Sequence, residues 1–191
     1  MIKPWKTVGS RLLGDFRLFS LRAERKVSPR NGTEHEFLVI DCANWVNVIA
    51  ITPDEQLVMV EQYRHGTNTV ELEIPGGMMD PHETSPIATG LRELREETGY
   101  EGERAQLLGR ISPNPAIKSN TCFTVMIEDC RPTRPAEFDS GEELITRLVP
   151  IADVERLVAE GTIQHSLVVV ALYYFELWRR RRTPSGKPMS R

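Results

Sequence analysis

Residues 76–100 read GGMMDPHETSPIATGLRELREETGY, and the run Arg92-Glu93-Leu94-Arg95-Glu96-Glu97-Thr98-Gly99 inside them constrains this chain most. At roughly 100° per residue, Glu93, Glu96 and Glu97 fall within about 100° of arc on one face of a helix. Ile87, Leu91, Leu94 and Thr98 gather on the opposite face, the side that packs on a core. Carboxylates at such spacing repel one another, and no lysine is interleaved among them for relief. A divalent cation relieves them far better, and Mg²⁺ takes hard oxygen ligands while keeping positions open for phosphate oxygens. An acidic cluster alone is usually a solvated face, but the residues in front of this one argue otherwise. Pro75-Gly76-Gly77 breaks the preceding strand and permits backbone geometries that other residues avoid. Asp80-Pro81 makes a turn, and Ser85-Pro86 starts the helix with Ser as N-cap and Pro at the first helical position. Strand, glycine loop and helix in that order fold the loop against the acidic face, where a loop carbonyl can join the carboxylates around a metal.

These residues resemble the signature of the Nudix hydrolases. In that pattern a glycine is followed, after five residues, by a glutamate and, after seven more, by Arg-Glu, an aliphatic residue, any residue, Glu-Glu, any residue and Gly. Gly77, Glu83, Arg92, Glu93, Leu94, Glu96, Glu97 and Gly99 match it in order, with Tyr100 behind them. The chain departs at one place, where eight residues, Thr84 to Leu91, separate Glu83 from Arg92. Ser85-Pro86 sets the helix start, so the extra residue falls in the loop, which shifts Glu83 relative to the helix and leaves its role open.

The resemblance implies an α/β fold, the Nudix α/β/α sandwich with a mixed sheet, from about Ala43 onward. Strands ahead of the core occur in the branch that includes ADP-ribose and ADP-sugar pyrophosphatases, where they help build a homodimer. Three further stretches resemble that branch: Val60-Glu61-Gln62-Tyr63-Arg64, Glu71-Leu72-Glu73-Ile74-Pro75, and Glu160-Gly161-Thr162-Ile163-Gln164-His165-Ser166 ahead of an apolar helix. The expected organisation is therefore N-terminal antiparallel strands over 1–42 used in dimerisation, a Nudix domain over 43–182, and a disordered tail over 183–191.

Composition fits one enzyme domain. The chain has 191 residues, a formal net charge of −3 and a pI near 5.9, so neither nucleic acid nor membrane is an expected partner. An anionic substrate must then be attracted locally, by metal ions and a few arginines. Cys42, Cys122 and Cys130 show no metal-ligand spacing and fit reduced thiols of a cytoplasmic protein. No secretory signal is visible behind Met1-Ile2-Lys3-Pro4-Trp5-Lys6. Val168–Trp178 is apolar but too short to span a bilayer, which makes it a buried helix.

Period-2 patterning predicts strands at Asp15–Ser20, Leu21–Val27 and Glu36–Cys42, the last two flanking a hairpin at Asn31-Gly32. Further strands are predicted at Trp45–Thr52, Gln56–Arg64, Thr69–Ile74, Leu107–Ser112, Cys122–Glu128 and Leu144–Val149. Ala152–Ala159 reads as a helix closed by Gly161, and Ser166 opens the last helix.

Glu93 and Glu97, one turn apart, are the natural bridging metal ligands, and Glu96 points to nearly the same side as a weaker candidate. The resemblance adds the main-chain carbonyl of Gly76. Arg92 suits an ion pair to Glu93 or the loop better than a substrate contact. Branch members often take the proton acceptor for the attacking water from a mobile loop outside the signature. Here the loop is Phe138-Asp139-Ser140-Gly141-Glu142-Glu143, with Glu143 favoured over Glu142. On the substrate side Arg64 is a candidate for binding phosphate across a subunit interface, and Glu73 for anchoring the loop more than for binding sugar. His35, His65, His82 and His165 share no metal-like or triad-like spacing. The expected chemistry is Mg²⁺-dependent (alternatively Mn²⁺-dependent) hydrolysis of a nucleoside diphosphate sugar, of the ADP-ribose, ADP-sugar or GDP-mannose type. Ser112-Pro113-Asn114-Pro115-Ala116 lacks the glycine and glutamate usual in ADP-ribose enzymes, which leaves the sugar open. Hydrolysis of a dinucleotide, NADH or an RNA cap, or a non-catalytic nucleotide-binding module, are the alternatives.

Overall fold

The computed structural model describes residues 1–138 and 143–182, so Glu142 and the 183–191 tail lie outside the described residues. The chain divides into two compact units, Met1–Asn44 with Ile111–Thr121, and Trp45–Arg110 with Cys122–Arg191.

The first unit is built on a three-stranded antiparallel sheet of β1 (Lys6–Asp15), β2 (Phe19–Val27) and β3 (Glu34–Cys42). β2 and β3 pair from Val27↔Glu34 to Phe19↔Cys42, around the turn that Asn31-Gly32 predicts, and Gly32 takes the left-handed conformation there with φ 74°. Asp15–Ser20 is not one strand. Asp15 ends β1, Phe19 opens β2, and the Phe16 amide donates to the Phe19 carbonyl (2.9 Å) across a turn in which Arg17 has φ 60°. The apparent alternation came from two strand ends and the turn between them. β1 itself has no such pattern, because nearly every one of its residues is exposed and neither face carries an apolar period.

The second unit carries a mixed sheet. In chain order its elements are β4 (Trp45–Ile51), β5 (Gln56–Arg64), β6 (Thr69–Glu73), β7 (Gly76–Met78), α1 (Pro86–Thr98), β8 (Tyr100–Glu101), β9 (Arg104–Ile111), β10 (Cys122–Glu128), β11 (Arg131–Pro132), β12 (Leu144–Pro150), α2 (Val154–Ala159) and α3 (Ser166–Arg182). The strand order is β12-β5-β4-β10-β9, with β6 beside β5 and β7 beside β4. β10 runs parallel to β4 and β5 antiparallel to it. Central strands buried on both faces read as near-continuous apolar runs, and β4, β5 and β10 do so.

Alternate residues of β4 serve opposite layers. Val46, Val48 and Ala50 pack with Leu94 of α1, and Ile87 and Leu91 join from the same helix. Ile49 packs with Val168, Ala171, Leu172 and Phe175 of α3, against which Val154, Leu157 and Val158 of α2 also lie. Helices therefore cover both faces of the sheet, the expected α/β/α sandwich. Gly161 follows α2 with φ 77°, ending it where the sequence indicates.

α1 carries the acidic face. The Ser85 hydroxyl accepts from the Ala88 amide (3.3 Å) and Pro86 opens the first turn. Gly99 closes the helix with φ 71°, its amide donating to the Arg95 carbonyl (2.9 Å). A Cβ at Gly99 would also overlap the Arg134 carbonyl, so this glycine is required twice over.

Candidate active site

The carboxyl-bearing face of α1 looks into a cavity of about 620 Å³. Five carboxylates line it, from Asp80, Glu93, Glu96, Glu97 and Glu137, against two arginines, Arg64 and Arg92. A cleft with that imbalance draws cations into it.

Two glycines let strand and helix meet. Gly76 and Gly77 form part of β7 rather than a loop, paired with Asn47 and Val46 of β4. Positive φ among glycines is confined, in the described residues, to Gly32, Gly99 and Gly161. The expectation of unusual backbone angles at Gly76-Gly77 is therefore replaced by a steric one. A Cβ on Gly76 would overlap the Val46 carbonyl, and one on Gly77 would overlap the Glu93 carboxylate. The missing side chain of Gly77 is the seat of Glu93.

Glu97 is only 6% exposed, and its Oε2 accepts from the Gly76 amide (3.0 Å). It is thus the amide of Gly76 that is seen to meet the helix. The Glu93 side chain is also largely covered, whereas that of Glu96 is 38% exposed. Arg92 joins them. Its Nη2 lies 2.9 Å from Glu93 Oε1 and its Nη1 2.8 Å from Glu96 Oε2. The acidic face therefore does carry a counter-cation: an arginine at i,i+4 to Glu96 does what interleaved lysines would.

Arg92 also grips Glu83, with Nε 3.1 Å from Oε1 and Nη2 3.3 Å from Oε2. Glu83 in turn accepts from the Asp80 amide (2.9 Å). Eight residues separate Glu83 from Arg92, and Glu83 still reaches the arginine. Hydrogen bonding from Arg92 holds the Glu83 carboxyl down at about 2. A carboxyl depressed in the folded state contributes stability that is full above its unfolded value and lost as pH falls through the folded one. The stability difference between the wild type and Glu83→Gln should therefore be constant near neutral pH and shrink between about pH 4.5 and about 2. Denaturant unfolding at several pH values in that window checks it.

Arg64 and Glu73 form a bidentate pair, Nε to Oε1 at 2.7 Å and Nη2 to Oε2 at 2.8 Å. Glu73 is 2% exposed, so its carboxylate orients Arg64, and Arg64 is the member that reaches the cavity. Glu143 is exposed, directly before β12, and is not among the described cavity residues. Two neighbours on the same loop are: Glu137, whose amide donates to the Glu96 carbonyl (2.8 Å), and Phe138. Local patterns did not single out Glu137, because what places it is the passage of 133–137 beside the end of α1, with the Thr133 amide on the Gly99 carbonyl (2.9 Å). Asp80 read only as a turn residue, and Trp45 only as a strand end, yet both line the cavity.

No cysteine or histidine is among the described residues that line the cavity. Burial pushes the thiols of Cys122 and Cys130 up to about 11 and about 12, which keeps them protonated. His35 packs on Trp5 and Phe37, and His65 on Tyr63.

Among the described residues no three His, Cys, Asp or Glu side chains already stand as a metal-ligand set. Arg92 and the Gly76 amide hold carboxylate oxygens of Glu93, Glu96 and Glu97 instead. The chemistry still fits a divalent ion: hard oxygen donors, an excess of negative charge, and room kept at Gly77 for the Glu93 carboxylate.

Residues 43–169 match the NUDIX domain family. The chain belongs to that family. Similar proteins include a methanol dehydrogenase activator of Bacillus methanolicus, 29% identical over 173 residues, which are 90% of this chain and 92% of the relative. An ADP-ribose pyrophosphatase of Mycobacterium tuberculosis is 26% identical over 169 residues, 88% of this chain and 81% of that one. The crystal structure of an ADP compounds hydrolase superposes with a TM-score of 0.83 at 23% identity, covering 96% of this chain and 98% of that one, and so shares the fold. Nudix hydrolases generally use divalent metals, in keeping with the donor set described above.

Proposed function

We propose that this Nudix protein hydrolyses the diphosphate bond of a nucleoside diphosphate sugar, of the ADP-ribose, ADP-sugar or GDP-mannose kind, to a nucleoside monophosphate and a sugar phosphate. The observation that carries this is the convergence of Glu93, Glu96 and Glu97 on one cavity with Arg64 and Arg92. The printed activity of the Mycobacterium tuberculosis relative supports it.

Glu93 and Glu97, with the Gly76 carbonyl, would hold Mg²⁺ (or Mn²⁺), which neutralises diphosphate charge and acidifies a water. Arg64, oriented by Glu73, is the proposed partner of a phosphate across a subunit interface. Arg92 pairs with Glu93 and Glu96 on the cavity side of α1. A carboxylate from the loop ahead of β12 takes the proton of the attacking water, and Glu143 is assigned that role ahead of Glu142. Glu143→Gln is expected to lower kcat about a hundredfold with little change in KM. Steady-state kinetics beside Glu142→Gln and Glu137→Gln check the assignment, and an effect confined to either of those moves the base there.

Residues 1–42 act in homodimerisation, for which the exposed Leu12, Phe16, Leu18 and Leu38 of the first unit supply apolar surface. No described helix is long and apolar enough to cross a membrane, and the cytoplasm is the proposed compartment. Turnover of ADP-ribose, GDP-mannose, UDP-glucose, NADH and nucleoside triphosphates with Mg²⁺, scored by product, tests the function. Preference for NADH or a triphosphate would replace the sugar assignment. Absence of turnover on all of them would favour a binding module, a reading against which the intact set of helix glutamates argues.

A further inference from the structure

The four groups on Arg92 are not equivalent. Glu83 and the Met78 carbonyl come from the segment ahead of α1. Glu83 takes Nε and Nη2, and the Met78 oxygen accepts from Nη2 at 3.3 Å. Glu93 and Glu96 come from α1 itself and line the cavity where a divalent ion would sit. One guanidinium is thus shared among three carboxylates, two of which are wanted by something else. Glu83 is held in addition by the Asp80 amide.

We infer that Arg92 is a resident counter-cation: it neutralises Glu93 and Glu96 while no metal is bound, and yields Glu93 to the ion while staying beside α1 on Glu83 and the Met78 carbonyl. The inference rests on the metal reading above. It follows from two requirements that conflict. Without a cation, glutamates crowded on one helix face destabilise α1. A permanent strong ion pair on the same oxygens would oppose metal binding. A guanidinium that is also held by Glu83 and the Met78 carbonyl meets both, because it can release its contact to Glu93 without being lost.

A purely architectural arginine and a counter-cation predict opposite signs. If Arg92 only orients Glu93, its removal weakens metal binding and lowers stability alike with and without metal. If it is exchanged against the ion, its removal deepens the negative field and takes away a competitor. Arg92→Met in the full chain should then bind Mg²⁺ about tenfold more tightly by calorimetry. Its unfolding temperature should fall by several degrees in EDTA and by much less at saturating Mg²⁺. Glu83→Gln, which frees the guanidinium to settle on Glu93 and Glu96, should weaken Mg²⁺ binding several-fold, and this effect should vanish in the Arg92→Met background. Arg92→Lys, which keeps the charge and loses the fork, guards against a misfolded Met variant and should fall between it and the wild type. Weaker Mg²⁺ binding in both Arg92 variants, or equal losses of stability with and without Mg²⁺, overturns the inference while leaving the proposed function standing. A wild type that binds no Mg²⁺ removes both.

Discussion

Glu97→Gln is expected to lower turnover by about 10³-fold while the protein unfolds within a degree or so of the wild type. The two halves of that expectation have separate causes. Glu97 is buried against β7, and one contact that ties it there is the hydrogen bond accepted from the Gly76 amide at 3.0 Å. A glutamine has the same length and volume and keeps a carbonyl oxygen for that amide, so the join between strand and helix survives. What it loses is the negative charge, and a divalent ion with phosphate ligands needs anionic oxygens from the protein. Glu96→Gln makes the contrast. Glu96 is the most exposed of the three helix glutamates and is engaged by Arg92 at 2.8 Å, so its loss should cost markedly less. Kinetics with saturating Mg²⁺, alongside thermal unfolding, measure both variants. Full activity in folded Glu97→Gln would sink the metal-site assignment.

How far the chain could be read before its structure depended on whether the deciding chemistry was local. The ends of α1 were legible because Ser85, Pro86 and Gly99 act on their own neighbours: a hydroxyl on an amide three residues on, a ring that sets φ, a glycine in the left-handed region. β5 and β10 were legible to the residue because each is a buried apolar run bounded by turn or polar residues. The same logic failed at β1, whose exposed faces carry no periodic signal, and at β7, where paired glycines look like a loop until β4 is laid beside them. In the site, Glu93, Glu96 and Glu97 followed from helical spacing. The wall opposite them followed only in part, since Arg64 and its partner Glu73 were candidates while Asp80, Trp45 and Glu137 were not. Glu137 enters through a backbone hydrogen bond to Glu96, and Arg64 is oriented by Glu73 on the neighbouring strand, pairings that exist only once the sheet and helix are packed. Arg92 lay between these cases: its i,i+4 relation to Glu96 was in the sequence, but its hold on Glu83 depended on how the extra loop residue was absorbed.

Gly77→Ala separates steric from conformational demand at the join, and here the expected loss is of function more than of fold. Gly77 has no left-handed φ, so alanine imposes no backbone strain. Its Cβ would meet three atoms of one group, the Glu93 carboxylate, with Oε2 at 2.6 Å. That group is the far end of a flexible side chain, so the helix need not move; the carboxylate swings away. The displacement breaks the 2.9 Å contact with Arg92 and takes one proposed ligand off the metal. A misplacement of about 1 Å costs about 10²-fold in rate, and a disturbed ligand about 10- to 100-fold in metal affinity. Together they should bring kcat/KM down by about 10³-fold at limiting Mg²⁺, with unfolding free energy changed by only about 1 kcal/mol. Gly76→Ala should behave in the reverse way. Its Cβ would run into the Val46 carbonyl, which is sheet backbone and cannot swing aside, so stability should fall by about 1–3 kcal/mol before any effect on Glu93 is felt. Mg²⁺ titration of activity and denaturant unfolding of the two alanine variants distinguish these outcomes. Wild-type kinetics in Gly77→Ala would mean that the Glu93 carboxylate does not need its seat against β7, and the assignment of Glu93 as a metal ligand would have to be withdrawn.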